Sequence, residues 1–205
     1  VENLFRLAEV HDLGEVRNAI AYGGAKCLVM NGIHYVALTN KIFKSSPKKV
    51  SALLHSSRIN PRGNKFLYYE GSLSYEYQDY RFLTMTFSNS SRVSAEYFLI
   101  FERGTARIFG NRLEVYGVNK ESLKSDNRIV KTFESQESKY AGEAFTRLDG
   151  TDGSDYIYKK FILGEEVEDS FTEGEEATKW ILKGLISNSK NRIGIVRQFK
   201  HWNIT

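Results

Sequence analysis

Tyr68-Tyr69-Glu70-Gly71-Ser72-Leu73-Ser74-Tyr75-Glu76-Tyr77 belongs to a longer run, Asn64 to Val118, that is rich in Tyr, Phe, Thr, Val and Ile. Successive side chains of a strand point to opposite faces, and aromatic and β-branched residues suit a pleated surface. The run is broken by Gly71-Ser72, Asn89-Ser90-Ser91 and Gly110-Asn111, which carry turn chemistry. It therefore reads as an antiparallel meander with strands near Lys65 to Glu70, Leu73 to Gln78, Arg81 to Phe87, Glu96 to Glu102, Ala106 to Phe109 and Leu113 to Tyr116. Alternation sets Tyr75 and Tyr77 on one face of the sheet and Glu76 on the other.

N-terminal to the meander, Glu2 to Tyr22 spaces its apolar residues by three and four, the period of one or two short helices that Gly23-Gly24 would end. Cys27 to Met30 and Ile33 to Leu38 are β-prone, and Asn31-Gly32 between them suits a type I′ turn, so a hairpin is expected. Ser46-Pro47 followed by Lys48 to His55 reads as a helix start and a short helix. C-terminal to the meander, strands are expected at Arg128 to Phe133 and Tyr156 to Leu163, with a polar stretch and an Asp/Gly loop between them. Thr172 and Glu175 have capping-box spacing ahead of a helix from Glu173 to Ser187 that would bury Ala177, Trp180, Ile181 and Leu185. Arg192 to Phe199 reads as a closing strand. With no repeat and no Pro/Gly linker, the expected architecture is one α+β domain over residues 1–205. Its mainly antiparallel, twisted sheet (64–133) would be flanked by N-terminal helices (2–22), one C-terminal amphipathic helix (173–187) and a closing strand (192–199).

Composition sets the limits on function. The 205 residues are 41% apolar and 13% aromatic with two prolines, which excludes collagen-like and wholly disordered chains. One cysteine, Cys27, excludes an internal disulfide framework and multi-cysteine zinc sites, and an apolar strand around it suits an inert thiol. No apolar run reaches the ~18 to 20 residues that span a bilayer, and no secretion signal is evident, so a cytoplasmic location is expected. Phosphate-loop, Gly-x-Gly-x-x-Gly, His-Glu-x-x-His and Gly-x-Ser-x-Gly motifs are all missing. Asp149 to Asp155 lacks EF-hand spacing, and Glu137-Ser138-Lys139, the single Glu-x-Lys, lies in a stretch of poor strand character. Neither a cofactor nor a metal is expected.

The net charge of +4 hides strong segregation. Lys41 to Tyr69 and Ala177 to Thr205 hold basic residues and no acidic ones, whereas Glu134 to Glu176 holds 13 carboxylates. If the basic segments share a face, they would attract a polyanion. The expectation that follows is a DNA-binding protein reading double-stranded DNA or structured nucleic acid through a basic, Tyr-rich sheet. It would act as a two-fold homodimer, with no membrane partner, and as a restriction-type nuclease or a metal-free glycosylase. Lys48, Lys49, Arg58, Arg62, Lys65, Arg81, Arg192, Arg197 and Lys200 would contact nucleic acid. Glu70, Tyr75 and His201 would carry catalysis, with the sheet tyrosines stacking on bases and Trp202 beside His201 adding a further surface. His11, His34 and His55 read as surface or core groups. The alternative is a non-enzymatic structural protein, such as a virion component or effector module, that uses the sheet face against a protein, since Tyr and Arg also favour protein interfaces.

Overall fold

The computed structural model describes residues 2–24, 27–56, 68–110, 112–118, 136–143 and 170–190. In chain order these form α1 (Glu2–Val10), β1 (Val16–Gly24), α2 (Leu28–Phe43), β2 (Lys49–Ser56), β3 (Tyr69–Glu76), β4 (Phe82–Ser88), β5 (Glu96–Phe101), β6 (Gly104–Phe109), β7 (Arg112–Val118), β8 (Gln136–Glu143) and α3 (Ser170–Lys190). The strands make one sheet in the order β2-β3-β4-β1-β5-β6-β7-β8. Every neighbouring pair is antiparallel except β1 and β4, which run parallel from Asn18 beside Phe82 to Gly24 beside Ser88. The class is α+β, with a mixed sheet where a purely antiparallel meander could have stood.

Alternation divides the sheet into two unlike faces. Leu54, Leu73, Tyr75, Leu83, Met85, Phe87, Ala19, Ala21, Tyr97, Leu99, Ala106, Leu113 and Val115 point to one side, and all are buried. The helices supply the rest of that core. Leu4 and Leu7 come from α1, Leu28, Val36 and Phe43 from α2, and Ala177, Trp180, Ile181 and Leu185 from α3. The opposite face is more polar and carries a hydrogen-bonded row across the strands. Tyr22 donates to Glu96 (2.6 Å), and Arg107 holds both Glu96 oxygens at 2.8 Å and lies 3.8 Å from Glu114. Tyr116 donates to Glu114 at 3.3 Å.

Three expectations for the N-terminal third are corrected. The helical reading of 2–22 holds only for Glu2–Val10, because Val16–Gly24 is β1, the centre of the sheet. The expected hairpin at 27–38 is instead the single helix α2. Gly32 is where α3 crosses, and a β-carbon there would stand 2.9 Å from Ile181 Cδ1, so this glycine serves helix packing and no turn. The expected helix at 48–55 is instead the edge strand β2, paired along its whole length with β3. In the meander, Gly71-Ser72 makes no turn and lies within the one strand β3, while residues 65–67 of the first expected strand lie outside the described residues. The helix expected at 173–187 is α3, with its four named apolar residues buried, and it starts early enough that Thr172 lies inside it. The strands expected at 128–133, 156–163 and 192–199 lie outside the described residues.

Candidate functional site

Where β1, β2 and β4 end and β3 begins, the chain brings together its most suggestive polar groups. β1 and β4 are the parallel pair, α2 starts directly after β1, and in open sheets with parallel strands ligands favour the carboxyl ends at such points. The geometry begins with Gly24, whose N–H donates to Val93 O at 2.8 Å. A β-carbon on Gly24 would stand 2.1 Å from Ser91 O, so only glycine lets the end of β1 lie so close to the 88–95 connection.

Glu70, at the start of β3, faces this connection. One carboxylate oxygen accepts the Asn89 N–H at 2.6 Å and the Ser88 hydroxyl at 3.5 Å, and the other lies 3.3 Å from His55 Nε2. The cross-strand register explains the pairing, because His55 and Glu70 are directly opposed on the polar face. Glu70 is mostly covered, at 12% side-chain exposure, whereas His55 is 53% exposed. A carboxylate held by fixed donors can thus orient an imidazole that still reaches solvent, an arrangement suited to moving a proton. Beside them, Ser88 and Ser90 hydroxyls are 2.8 Å apart, and the Asn89 carboxamide is buried with no hydrogen-bond partner among the described residues. On the helical side, His34 and Met30 are exposed on consecutive turns of α2.

The remaining expected site residues scatter. Tyr75 is fully buried beneath α3 and meets Trp180 edge to face, with centroids 6.5 Å apart. Tyr77 is equally covered and donates to Asn40 Oδ1 at 2.8 Å. Burial pushes the pKa of both phenols far above its ordinary value. The tyrosine face therefore cannot stack on bases, because the helices already occupy it. Lys48, Lys49 and Arg81 sit at the opposite end of the sheet. Lys49 pairs with Glu76 at 3.2 Å, while Arg81 lies over the Phe43 ring at 4.8 Å and donates to Gln78 O at 3.3 Å. Arg58, Arg62, Lys65, Arg192, Arg197, Lys200 and His201 lie outside the described residues. His55 and Asn89 were missed because one was read into a helix and the other merely as a turn. The signal available was the alternation that opposes His55 to Glu70.

No protein-family model matches the sequence, and neither does any curated protein. Solved structures do resemble the fold. Over 93% of this chain, it is similar to an oxidoreductase from Agrobacterium radiobacter in complex with NAD+, L-tartaric acid and magnesium, at 14% identity and a TM-score of 0.59. It is similar over 90% of its length to UDP-N-acetylglucosamine 3-dehydrogenase from Acidithiobacillus ferrooxidans, at 11% identity and a TM-score of 0.57. It is also similar over 93% to aldose-aldose oxidoreductase from Caulobacter crescentus complexed with glycerol, at 13% identity and a TM-score of 0.59. The chain spans 60%, 57% and 59% of these three proteins. At such identities the likeness is one of fold. It overturns the expectation of a DNA-binding nuclease or glycosylase, since the solved structures that share the fold are oxidoreductases. Among the described residues, the burial of Tyr75 and Tyr77 removes the expected stacking surface, and Lys49 is paired with Glu76.

Proposed function

We propose that these residues form the substrate-side unit of an NAD(P)-dependent oxidoreductase acting on a hydroxylated, sugar-like compound. The observation that carries this reading is the common fold, followed over nine-tenths of the chain, in oxidoreductases whose names specify a sugar nucleotide, an aldose or a bound hydroxy acid. The dinucleotide itself does not fit the described residues. A pyrophosphate needs a glycine turn open to solvent between a parallel strand and a helix N-terminus. Gly24 at the end of β1 is instead packed against Ser91 and bonded to Val93 O, and no Gly-x-Gly-x-x-Gly occurs in the sequence. In this reading the cofactor is held by residues other than those described.

What the chain can contribute is orientation of the substrate and transfer of a proton to or from its hydroxyl. Of the residues expected to be catalytic, Glu70 keeps a part in this reading, orienting His55. His34, exposed on α2 and so on the helix-covered side of the sheet away from His55, is a separate candidate for the proton. Tyr75 contributes packing. No described helix is long and apolar enough to cross a membrane. Cys27 is buried and unpaired, which suits the reducing conditions of the cytoplasm.

The test is turnover by the full-length protein containing these residues, offered NAD+ or NADP+ with UDP-N-acetylglucosamine, D-glucose or L-tartrate and followed by nicotinamide absorbance. Reduction with at least one substrate is expected, and His55→Ala or His34→Ala should lower kcat/KM by about 10²-fold or more, the range of general acid–base catalysis. Absence of turnover with every pair would overturn the reading. Turnover that survives both replacements would leave the oxidoreductase and remove the assigned proton carriers.

A further inference from the structure

At the other end of α2, about 20 Å along the helix from its first turn at 1.5 Å per residue, a cleft of about 300 Å³ opens between the last turns of α2 and the first turns of α3. Ala37, Asn40, Lys41, Ser45, Ser46, Thr172, Glu173 and Glu176 line it. Several of these groups are already fixed. Asn40 Oδ1 accepts the Tyr77 hydroxyl at 2.8 Å, which orients the carboxamide and leaves its N–H₂ as the remaining hydrogen-bonding group. One Glu176 oxygen accepts Trp180 Nε1–H at 2.9 Å, leaving the second as an acceptor. The Ser45 hydroxyl is buried and has no hydrogen-bond partner among the described residues. A buried hydroxyl left unsatisfied costs about 1 to 3 kcal/mol, so a cleft with Ser45 at its wall gains from a ligand that both donates and accepts.

We infer that this cleft binds a small, uncharged polyhydroxylated molecule, of the size of one monosaccharide, at a site separate from the Glu70–His55 end of the sheet. The lining decides the class. Each hydroxyl of a polyol donates one hydrogen bond and accepts others, which matches acceptor-only carboxylates at Glu173 and Glu176, a donor at Asn40 and a hydroxyl at Ser45. One ammonium against two carboxylates gives the lining a net negative charge, which disfavours phosphates and sugar acids. The volume lies at the lower end of the ~300 to 1,000 Å³ usual for ligand pockets, which suits one ring and excludes a sugar nucleotide. The inference stands on the cleft alone and does not depend on the oxidoreductase reading.

The experiment is a ¹H–¹⁵N titration of the 205-residue chain with D-glucose, glycerol and glucose 6-phosphate in parallel. Saturable shifts with glucose, confined to residues around 37–46 and 172–176, are expected, with glucose 6-phosphate weaker. Glu176→Gln and Ser45→Ala should each weaken glucose binding about fivefold or more, the worth of one hydrogen bond. Ser45→Ala should leave the unfolding midpoint unlowered or raise it, because the hydroxyl has no partner among the described residues to lose and its removal relieves the cost of an unsatisfied buried group, so lost binding in that variant cannot be ascribed to misfolding. No saturable shift with any probe, tighter binding of glucose 6-phosphate, or shifts that persist unchanged in both variants would each overturn the proposal.

Discussion

Asp79 and Tyr80 are the central residues of the tight turn within the connection 77–81 between β3 and β4, and both have left-handed backbone, with φ of 56° and 55°. The turn is closed by Arg81 N–H to Gln78 O at 3.2 Å. Two left-handed residues at the centre of a hairpin turn match the twist of the strands, yet the pair that adopts them without strain is Asn-Gly. Tyr80 gains nothing in packing to offset this, since it is 87% exposed. Replacing Asp79 and Tyr80 by Asn and Gly should therefore stabilise the protein by about 0.5 to 1 kcal/mol. The check is the urea midpoint. A destabilised double variant would show that Tyr80 has a packing role that its exposure conceals.

Among the elements, the edge strand β2 is the one most in need of support, because nothing in its own sequence holds a strand: Leu53 is 67% exposed and only Leu54 is fully buried. α3 supplies that support. Asn188 is buried, accepts the Leu54 N–H at 2.8 Å and donates to the Leu54 carbonyl at 3.2 Å, so one carboxamide continues the sheet ladder for one residue beyond its edge. This also blunts the edge against pairing with another chain. Asn188→Ala should destabilise by about 2 to 4 kcal/mol, since two buried backbone groups lose their partners. Equilibrium denaturation measures it, and a loss under about 0.5 kcal/mol would mean that water replaces the clamp. The misreading of β2 as a helix follows from the same fact. Its apolar positions Val50, Leu53 and Leu54 fit a helical stripe as well as a strand, and the clamp that decides between them comes from 134 residues away.

For the molecule as a whole, the buried tyrosines set a limit in alkali. Tyr75, Tyr77 and Tyr97 all lie in the core between sheet and helices, and burial raises the pKa of each phenol. In the unfolded chain these phenols ionise near pH 10, while in the folded protein they stay neutral to higher pH. Above about pH 10 the unfolded state thus sheds protons that the folded state keeps, and stability falls as pH rises. Below it, these groups leave stability unchanged. Each contributes a loss of about 1.4 kcal/mol per pH unit beyond that point. Urea midpoints from pH 8 to 11.5 should stay level with respect to these groups up to about pH 10 and then drop, with the phenolate absorbance of these three buried tyrosines appearing only as the protein unfolds. Phenolate absorbance from all twelve tyrosines before unfolding would refute the prediction.

The alternation of 69–118 and the helical stripe of Ala177, Trp180, Ile181 and Leu185 were readable in the sequence, because each element is regular enough for side-chain period alone to specify it. That was sufficient for the α+β class but not for which sheet face is covered, since Tyr75 and Tyr77 were expected on an open face and lie in the core. Tertiary structure alone decided that 16–24 is the central strand, that 28–43 is one helix closed over Gly32 by α3, and that β1 lies parallel to β4. Short apolar segments satisfy either period, and partners distant in sequence settle which. The candidate site depends on the same distant pairings. Glu70, His55, Asn89 and Gly24 come from four separate segments, and only the register of β1 to β4 brings them to one end of the sheet. The charge pattern misled for a related reason, since composition records how many cations a segment holds and only the fold shows which of them are already paired.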